Sequence, residues 1–190
     1  MLELNNELDI YIPATEYWDN TDEDETKHHF VDIPEATIKL EHSLVSLTKW
    51  EIKWRKPYLS ETEKTQEQKI DYIKCMSLNK VDDIYYSLLT EEQHEQINNY
   101  INDPMTATFF YNREKKFGKK EIVTNEVIYS WLVALQIPFE VQHWHLSRLL
   151  TLVQVVNDKN TPKKKRSKSD VLKEQYAQNE ARLAKYNTTG

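Results

Sequence analysis

The chain has 190 residues with 39% hydrophobic and 29% charged content, which suits one globular domain with a short appendage. Its two glycines, Gly118 and Gly190, exclude a phosphate-binding loop, a dinucleotide-binding fingerprint and a nucleophile elbow, because each needs glycines at fixed spacing. Its one cysteine, Cys75, excludes an internal disulfide and a multi-cysteine zinc site.

Charge is unevenly placed along the chain, whose net charge is −6. Residues 159–190 carry nine Lys or Arg against three Asp or Glu, whereas residues 1–158 carry 16 basic and 28 acidic residues, a net charge of −12. We expect the basic tail to meet an acidic surface, which can be a nucleic acid, a partner protein or the protein's own body. The acidic N-terminus does not resemble a signal peptide, and no apolar run reaches the eighteen or so residues of a membrane span. The sequence therefore predicts a cytosolic protein with no membrane association.

The N-terminal 41 residues are predicted to be largely extended. Residues 8–12 and 36–40 alternate apolar and polar side chains, as half-buried strands do, and the two strands can pair. Between them, residues 19–25 form an acidic segment without the glycine that a calcium loop needs at its sharp turn. A solvated loop is therefore the favoured interpretation of that segment.

Three helices are predicted in the middle of the chain from their capping signatures. Ser43 begins a helix that Pro57 ends, and Trp50 and Trp54 on its apolar face are interpreted as core rather than as a binding platform. A second helix follows two successive capping boxes, of which the later one starts at Thr65, and continues to about residue 76. A third capping box at Thr90 begins a helix that ends at residues 102–104.

Two regions of the sequence give weaker structural signals. Residues 81–89 are ambiguous between helix and loop. Residues 106–111 have strand composition, and residues 121–123 could form the return strand of a hairpin whose charged turn contains Gly118.

The principal core is predicted within residues 122–156, as two helices joined at residues 136–138. The first helix is capped by Thr124 or Asn125 and repeats apolar residues at the helical period. Pro138 ends it and can begin the second helix, which continues to Val156 with an apolar surface on nearly all sides. Such a helix is normally buried among others.

The second of these helices carries the candidate residues for a metal site and for an internal ion pair. His143 and His145 are two apart, so on a helix they point away from each other and cannot bind one metal ion. Arg148 lies within the apolar stripe beside Trp144, and an internal ion pair with Glu41 or Glu51 is predicted for it. The other interpretation is that Trp144 and Arg148 contact a partner. No complete catalytic constellation is present, so neither enzymatic activity nor a cofactor is predicted.

After Val156 the composition changes to that of a linker and a tail. The basic run Lys163, Lys164, Lys165 and Arg166 resembles a nucleic-acid patch, although it lacks the interleaved aromatic residues that stack on single strands. Residues 171–186 are predicted to form a basic, weakly amphipathic helix. The sequence thus predicts a mostly α fold with a small β element, with a globular domain at 1–158 and a basic linker and tail at 159–190.

Three stretches together resemble a known family: residues 40–51, residues 101–108, and residues 137–140 with 144–150. In this order and spacing they are similar to tail assembly chaperones of long-tailed, siphovirus-type bacteriophages, and the similarity extends over most of the chain. The resemblance implies a protein that binds the tape measure protein, and with it the tail tube protein, in the host cytoplasm while the tail tube polymerises. It implies no catalytic residues. The alternative from another class is a nucleic-acid-binding virion or packaging factor that acts through the basic tail.

Overall fold

The computed structural model describes residues 6–19, 29–108 and 122–160, together with residues 172, 175 and 176. The chain divides into two compact units, Met1–Val156 and Asn157–Gly190. The acidic segment after residue 19, the charged turn around Gly118 and the basic run at residues 163–166 lie outside the described residues.

The fold is mostly α-helical with a small β element, which confirms the predicted class. The described part of the chain contains four strands, six α-helices and one 3-10 helix. In chain order these are β1 (Leu8–Ile12), β2 (Thr15–Asp19), β3 (His29–Ile33), β4 (Ala36–Leu40), α1 (Leu44–Trp54), α2 (Gln66–Met76), α3 (Asp83–Ser87), α4 (Glu91–Asn102), α5 (Asn125–Ala134), the 3-10 helix (Phe139–His143) and α6 (Leu146–Asn160).

The strands form two antiparallel pairs. As predicted, β1 pairs with β4, and Ile10 lies opposite Ile38 in the register. Both of these isoleucines are buried, while Asp9 and Lys39 face outward, so the alternation in the sequence corresponds to the two faces of the ladder. The second pair, β2 with β3, was not predicted as strands.

The three predicted helices α1, α2 and α4 each have a side-chain cap at the N-terminus. The side chains of Ser43, Thr65 and Thr90 each accept a hydrogen bond from the third backbone N–H of their helix. In each case the side chain of that third residue also accepts from the backbone N–H of the cap, which completes a capping box. The ambiguous segment at 81–89 contains the short helix α3.

The prediction of one continuous helix from Pro138 to Val156 is wrong. Pro138 is followed by a single 3-10 helix, Trp144 is extended, and α6 begins only at Leu146. The break is stabilised by a distant contact, because the backbone N–H of Leu146 donates to the carbonyl of His42 at 2.9 Å. The predicted hairpin is also not supported by its described parts, since residues 106–108 and 122–123 are not strand, while its other residues lie outside the described ranges.

Two hydrophobic clusters share helix α1. Trp50 of α1 belongs to the first cluster, with the β1–β4 ladder and the buried faces of α2, α3 and α4. Leu44 and Leu47 belong to the second cluster, with α5, the 3-10 helix and α6. Trp50 is buried and its indole N–H donates to the Gln68 carbonyl at 2.9 Å, so the interpretation of this tryptophan as core is confirmed.

Candidate functional site: a groove between two helices

A groove lies between α2 and α4 and encloses a volume of about 660 Å³. One wall comes from the turn before α2 and from α2 itself, and the other wall comes from α4. The lining is apolar where the walls approach the core and polar toward the outside. The apolar lining residues are Tyr58, Ile70, Tyr72, Ile73, Ile97 and Ile101.

The base of the groove is built on stacked aromatic rings. Tyr58 stacks on Tyr72 with ring centroids 3.9 Å apart, and it meets Trp50 edge-to-face at 5.1 Å. Burial raises the pKa of both tyrosine hydroxyls, so both rings stay neutral under ordinary conditions. Because these rings pack against the first core cluster, the base of the groove is fixed before any partner arrives.

Charged residues of opposite sign border the two walls. Lys64 and Lys69 lie on the α2 wall, and Glu91 and Glu95 lie on the α4 wall. None of the four forms an ion pair within the described part of the chain. The Lys64 ammonium lies 4.6 Å from the centre of the Tyr58 ring, and burial together with the nearby Lys69 lowers its pKa. The groove thus has an apolar base, one cationic rim and one anionic rim.

Two buried histidines lie directly behind the groove and hold its elements together. His42, which follows β4, and His145, which precedes α6, pack edge-to-face with ring centroids 4.9 Å apart. The Nδ1 atom of His42 lies 2.7 Å from the Tyr72 hydroxyl, and the Nε2 atom of His145 lies 2.9 Å from the Tyr100 carbonyl. The Tyr100 hydroxyl in turn donates to the Asn6 carbonyl at 2.6 Å. This network links α2, α4 and α6 to the strand region.

The protonation state of these histidines follows from their burial. Burial, and then the neighbouring His145, lowers the pKa of His42 to about 3. Burial also lowers the pKa of His145, whose Nδ1 atom is buried and has no hydrogen-bond partner. Both rings are therefore neutral at physiological pH, and they act as packed hydrogen-bonding groups.

The predicted ion pair of Arg148 with Glu41 or Glu51 is wrong. The Glu51 carboxylate instead accepts from the backbone and side-chain N–H groups of Asn125, both at 2.7 Å, and from the backbone N–H of Tyr58 at 2.7 Å. Glu41 lies 3.3 Å from the exposed His143. The guanidinium of Arg148 lies 4.0 Å from the ring centre of Trp144, and the arginine is only half-buried. A half-buried guanidinium needs no carboxylate, because water and the aromatic ring can stabilise it.

Because Arg148 contacts an aromatic ring rather than a carboxylate, its replacement by alanine is expected to have a small effect on stability. We expect Arg148→Ala to lower the free energy of unfolding by only about 0.5–1 kcal/mol, the value of an exposed cation–π contact. Denaturant unfolding of the variant measures this effect. A loss above about 3 kcal/mol would contradict the described environment and indicate a buried charge partner.

The other candidate residues from the sequence do not form a common site in the described part of the chain. Trp144 and Arg148 contact each other but do not line the groove, and Lys163, Lys164, Lys165 and Arg166 lie outside the described residues. His143 is exposed while His145 is buried, and within the described ranges no cluster of three or more His, Cys, Asp or Glu could hold a metal ion. Burial raises the pKa of the Cys75 thiol to about 11, so it is not an activated nucleophile.

A second apolar cleft of about 420 Å³ lies between the loop after α1 and helices α5 and α6. It is lined by Leu59, Trp131 and Leu150, with Ile122 and Val123 next to the part of the chain that is not described. The cleft is thus a second apolar surface of smaller volume than the groove.

Sequence reasoning missed the groove, although part of its signal was present. The pairs Ile70 with Ile73 and Ile97 with Ile101 have helical spacing, and they lie within the two helices that the sequence predicts there. Ile73 and Ile97 are buried, whereas Ile70 and Ile101 are partly exposed because α2 and α4 are separated at that point, and no local pattern encodes this separation. No described helix combines the length and apolarity required to cross a bilayer.

The comparisons with known proteins give no relative. No family model matches the sequence, no curated protein matches it, and no solved structure matches the fold.

Proposed function

We propose that this protein is a tail assembly chaperone of a long-tailed bacteriophage, which binds the tape measure protein through the groove between α2 and α4. The proposal rests on the resemblance of three sequence stretches to that family and on one structural observation, the groove itself. Its apolar base and polar rims are the features with which proteins bind an amphipathic helix. A protein with this role needs binding surfaces rather than a reactive centre.

A chaperone for a long helical client must shield apolar side chains before the client is packed inside the tail tube. The base formed by Ile70, Ile101 and Tyr58 offers apolar contact area, and each well-buried aliphatic side chain of a client contributes about 1.5–3 kcal/mol. The proposed place of action is the host cytoplasm during virion assembly, with the tail tube protein as a further partner.

The proposal is tested by co-expressing the full chain with the tape measure protein of the same phage and measuring complex formation by size-exclusion chromatography and calorimetry. We expect Ile70→Ala combined with Ile101→Ala to weaken the complex at least tenfold, because both side chains line the groove. The matched control is Ile52→Ala, since Ile52 is 56% exposed on α1 and lies outside the groove. Trp131→Ala tests the second cleft in the same assay.

Two results would contradict the proposal. The first is a wild-type chain that forms no complex with the tape measure protein. The second is duplex DNA binding that is tight at physiological salt and falls steeply as salt rises, because that behaviour belongs to the alternative nucleic-acid-binding factor acting through its basic tail.

A further inference from the structure

We infer that the groove between α2 and α4 takes an amphipathic helix with an acidic flank along α2 and a basic flank along α4. This inference rests on the proposed function for the identity of the natural client, but its geometry does not depend on that identity.

The dimensions of the groove fit about three turns of helix. α2 has 11 residues and α4 has 12, so at 1.5 Å per residue each wall is about 16–18 Å long. The base is apolar along both walls, from Ile70 and Ile73 on one side to Ile97 and Ile101 on the other. A helix presenting apolar residues at i, i+3, i+4 and i+7 places one continuous stripe against such a base.

The rim charges specify what must flank that stripe. Lys64 and Lys69 have no carboxylate partner within the described residues, and burial, followed by the neighbouring Lys69 ammonium, lowers the pKa of Lys64. Glu91 and Glu95 have no described cationic partner. A helix with carboxylates on one flank and ammonium or guanidinium groups on the other pairs all four charges at once.

The same rim charges select the direction of the bound helix. When an amphipathic helix keeps its apolar stripe against the base but reverses direction, its two flanks exchange rims. One direction then gives attraction at both rims, and the other gives repulsion at both. A free phosphate or a nucleic acid is disfavoured in the groove, because the α4 rim would repel it.

The experiment uses the full chain and two synthetic peptides of about eighteen residues, a length that covers the groove with margin. Both peptides have the same composition and the same apolar stripe. One has Glu on one flank and Lys on the other, and the second has Glu and Lys mixed on both flanks. We expect the segregated peptide to bind about tenfold more tightly at low salt, and the difference to shrink at high salt.

Rim variants test the assignment of each flank. Lys64→Glu with Lys69→Glu should weaken binding of the segregated peptide about tenfold. Adding Glu91→Lys and Glu95→Lys should restore the affinity and reverse the peptide direction, as reported by a paramagnetic label at its N-terminus. The control is Lys39→Glu with Lys80→Glu, because these exposed lysines lie outside the groove and leave binding unchanged. Circular dichroism of each variant confirms the fold.

Two results would overturn the inference. The first is equal affinity of the two peptides. The second is an unchanged direction of the bound peptide in the variant with all four rim charges reversed. These results are distinguishable from failure of the proposed function. If the tape measure protein binds but the rim variants change nothing, the proposed function stands and the flank assignment is wrong. If the peptides follow the expected order of affinity but the tape measure protein does not bind, the flank assignment stands and the proposed function is wrong.

Discussion

Replacing Glu51 with alanine is expected to lower the free energy of unfolding by about 3–5 kcal/mol, because three N–H groups lose their acceptor at once. Glu51 is 6% exposed, and its carboxylate is the shared acceptor for the two N–H groups of Asn125 and the backbone N–H of Tyr58. It thereby fixes the start of α5 against α1 and positions the ring at the base of the groove. Chemical denaturation followed by tryptophan fluorescence measures the loss.

The matched control for this prediction is Glu95→Ala. Glu95 is also in a helix, but it is exposed and has no ion pair within the described part of the chain, so its removal should change the stability by no more than about 0.5 kcal/mol. The stability loss of Glu51→Gln should lie between those of Glu51→Ala and Glu95→Ala. The glutamine amide keeps one oxygen acceptor, but its NH2 group faces N–H donors that it cannot accept from. A wild-type midpoint for Glu51→Ala would show that these hydrogen bonds are absent in solution.

Mild acid is expected to destabilise the protein through the buried histidines. The pKa of His42 is about 3 in the folded protein, below the ordinary 6.5, so the unfolded chain binds this proton more readily. The contribution of neutral His42 to the free energy of unfolding is fully present above pH 6.5, and it is lost as the pH drops from 6.5 toward 3. Below the unfolded pKa the loss approaches about 1.4 kcal/mol per pH unit, and it amounts to roughly 2 kcal/mol between pH 6.5 and 4.5. His145 contributes in the same direction.

The groups facing the histidine pair are Tyr72 and Tyr100, which are neutral in this range, together with Asp103 near His145. The measurement is the free energy of unfolding at pH 7, 5.5 and 4.5 for the wild type and for His42→Gln, whose pH dependence should be shallower. His143→Gln is the control, because that histidine is exposed and lies outside the buried pair. Identical slopes for His42→Gln and the wild type would rule out His42 as the origin of the acid sensitivity.

Short-range signals allowed much of the fold to be predicted. The caps at Ser43, Thr65 and Thr90 involve residues only three apart, so their sequence patterns contain all the interacting groups. The pairing of β1 with β4 could be predicted for a similar reason, since two short alternating segments each have one apolar face to bury.

Features that depend on distant contacts were not predictable. The start of α6 is set by the carbonyl of His42, about a hundred residues earlier in the chain, and local propensity alone favoured a helix beginning at Pro138. The sequence suggests Glu51 as a carboxylate partner for Arg148, but in the structure Glu51 accepts from N–H groups of Asn125 and Tyr58 instead. The groove itself arises from the separation of α2 and α4, which only the folded arrangement defines.

Helix α1 supplies side chains to both hydrophobic clusters, and this arrangement has a consequence for local opening. If one cluster opens while the other stays intact, one side of α1 is exposed to water and the other side remains packed. Such a partial opening exposes apolar area but frees little of the backbone, so it is unfavourable. The amide hydrogens of Leu47 and Trp50 should therefore exchange with solvent only during global unfolding. Those of α4, which packs on a single cluster, are available to smaller openings and can adjust when a helix binds beside them.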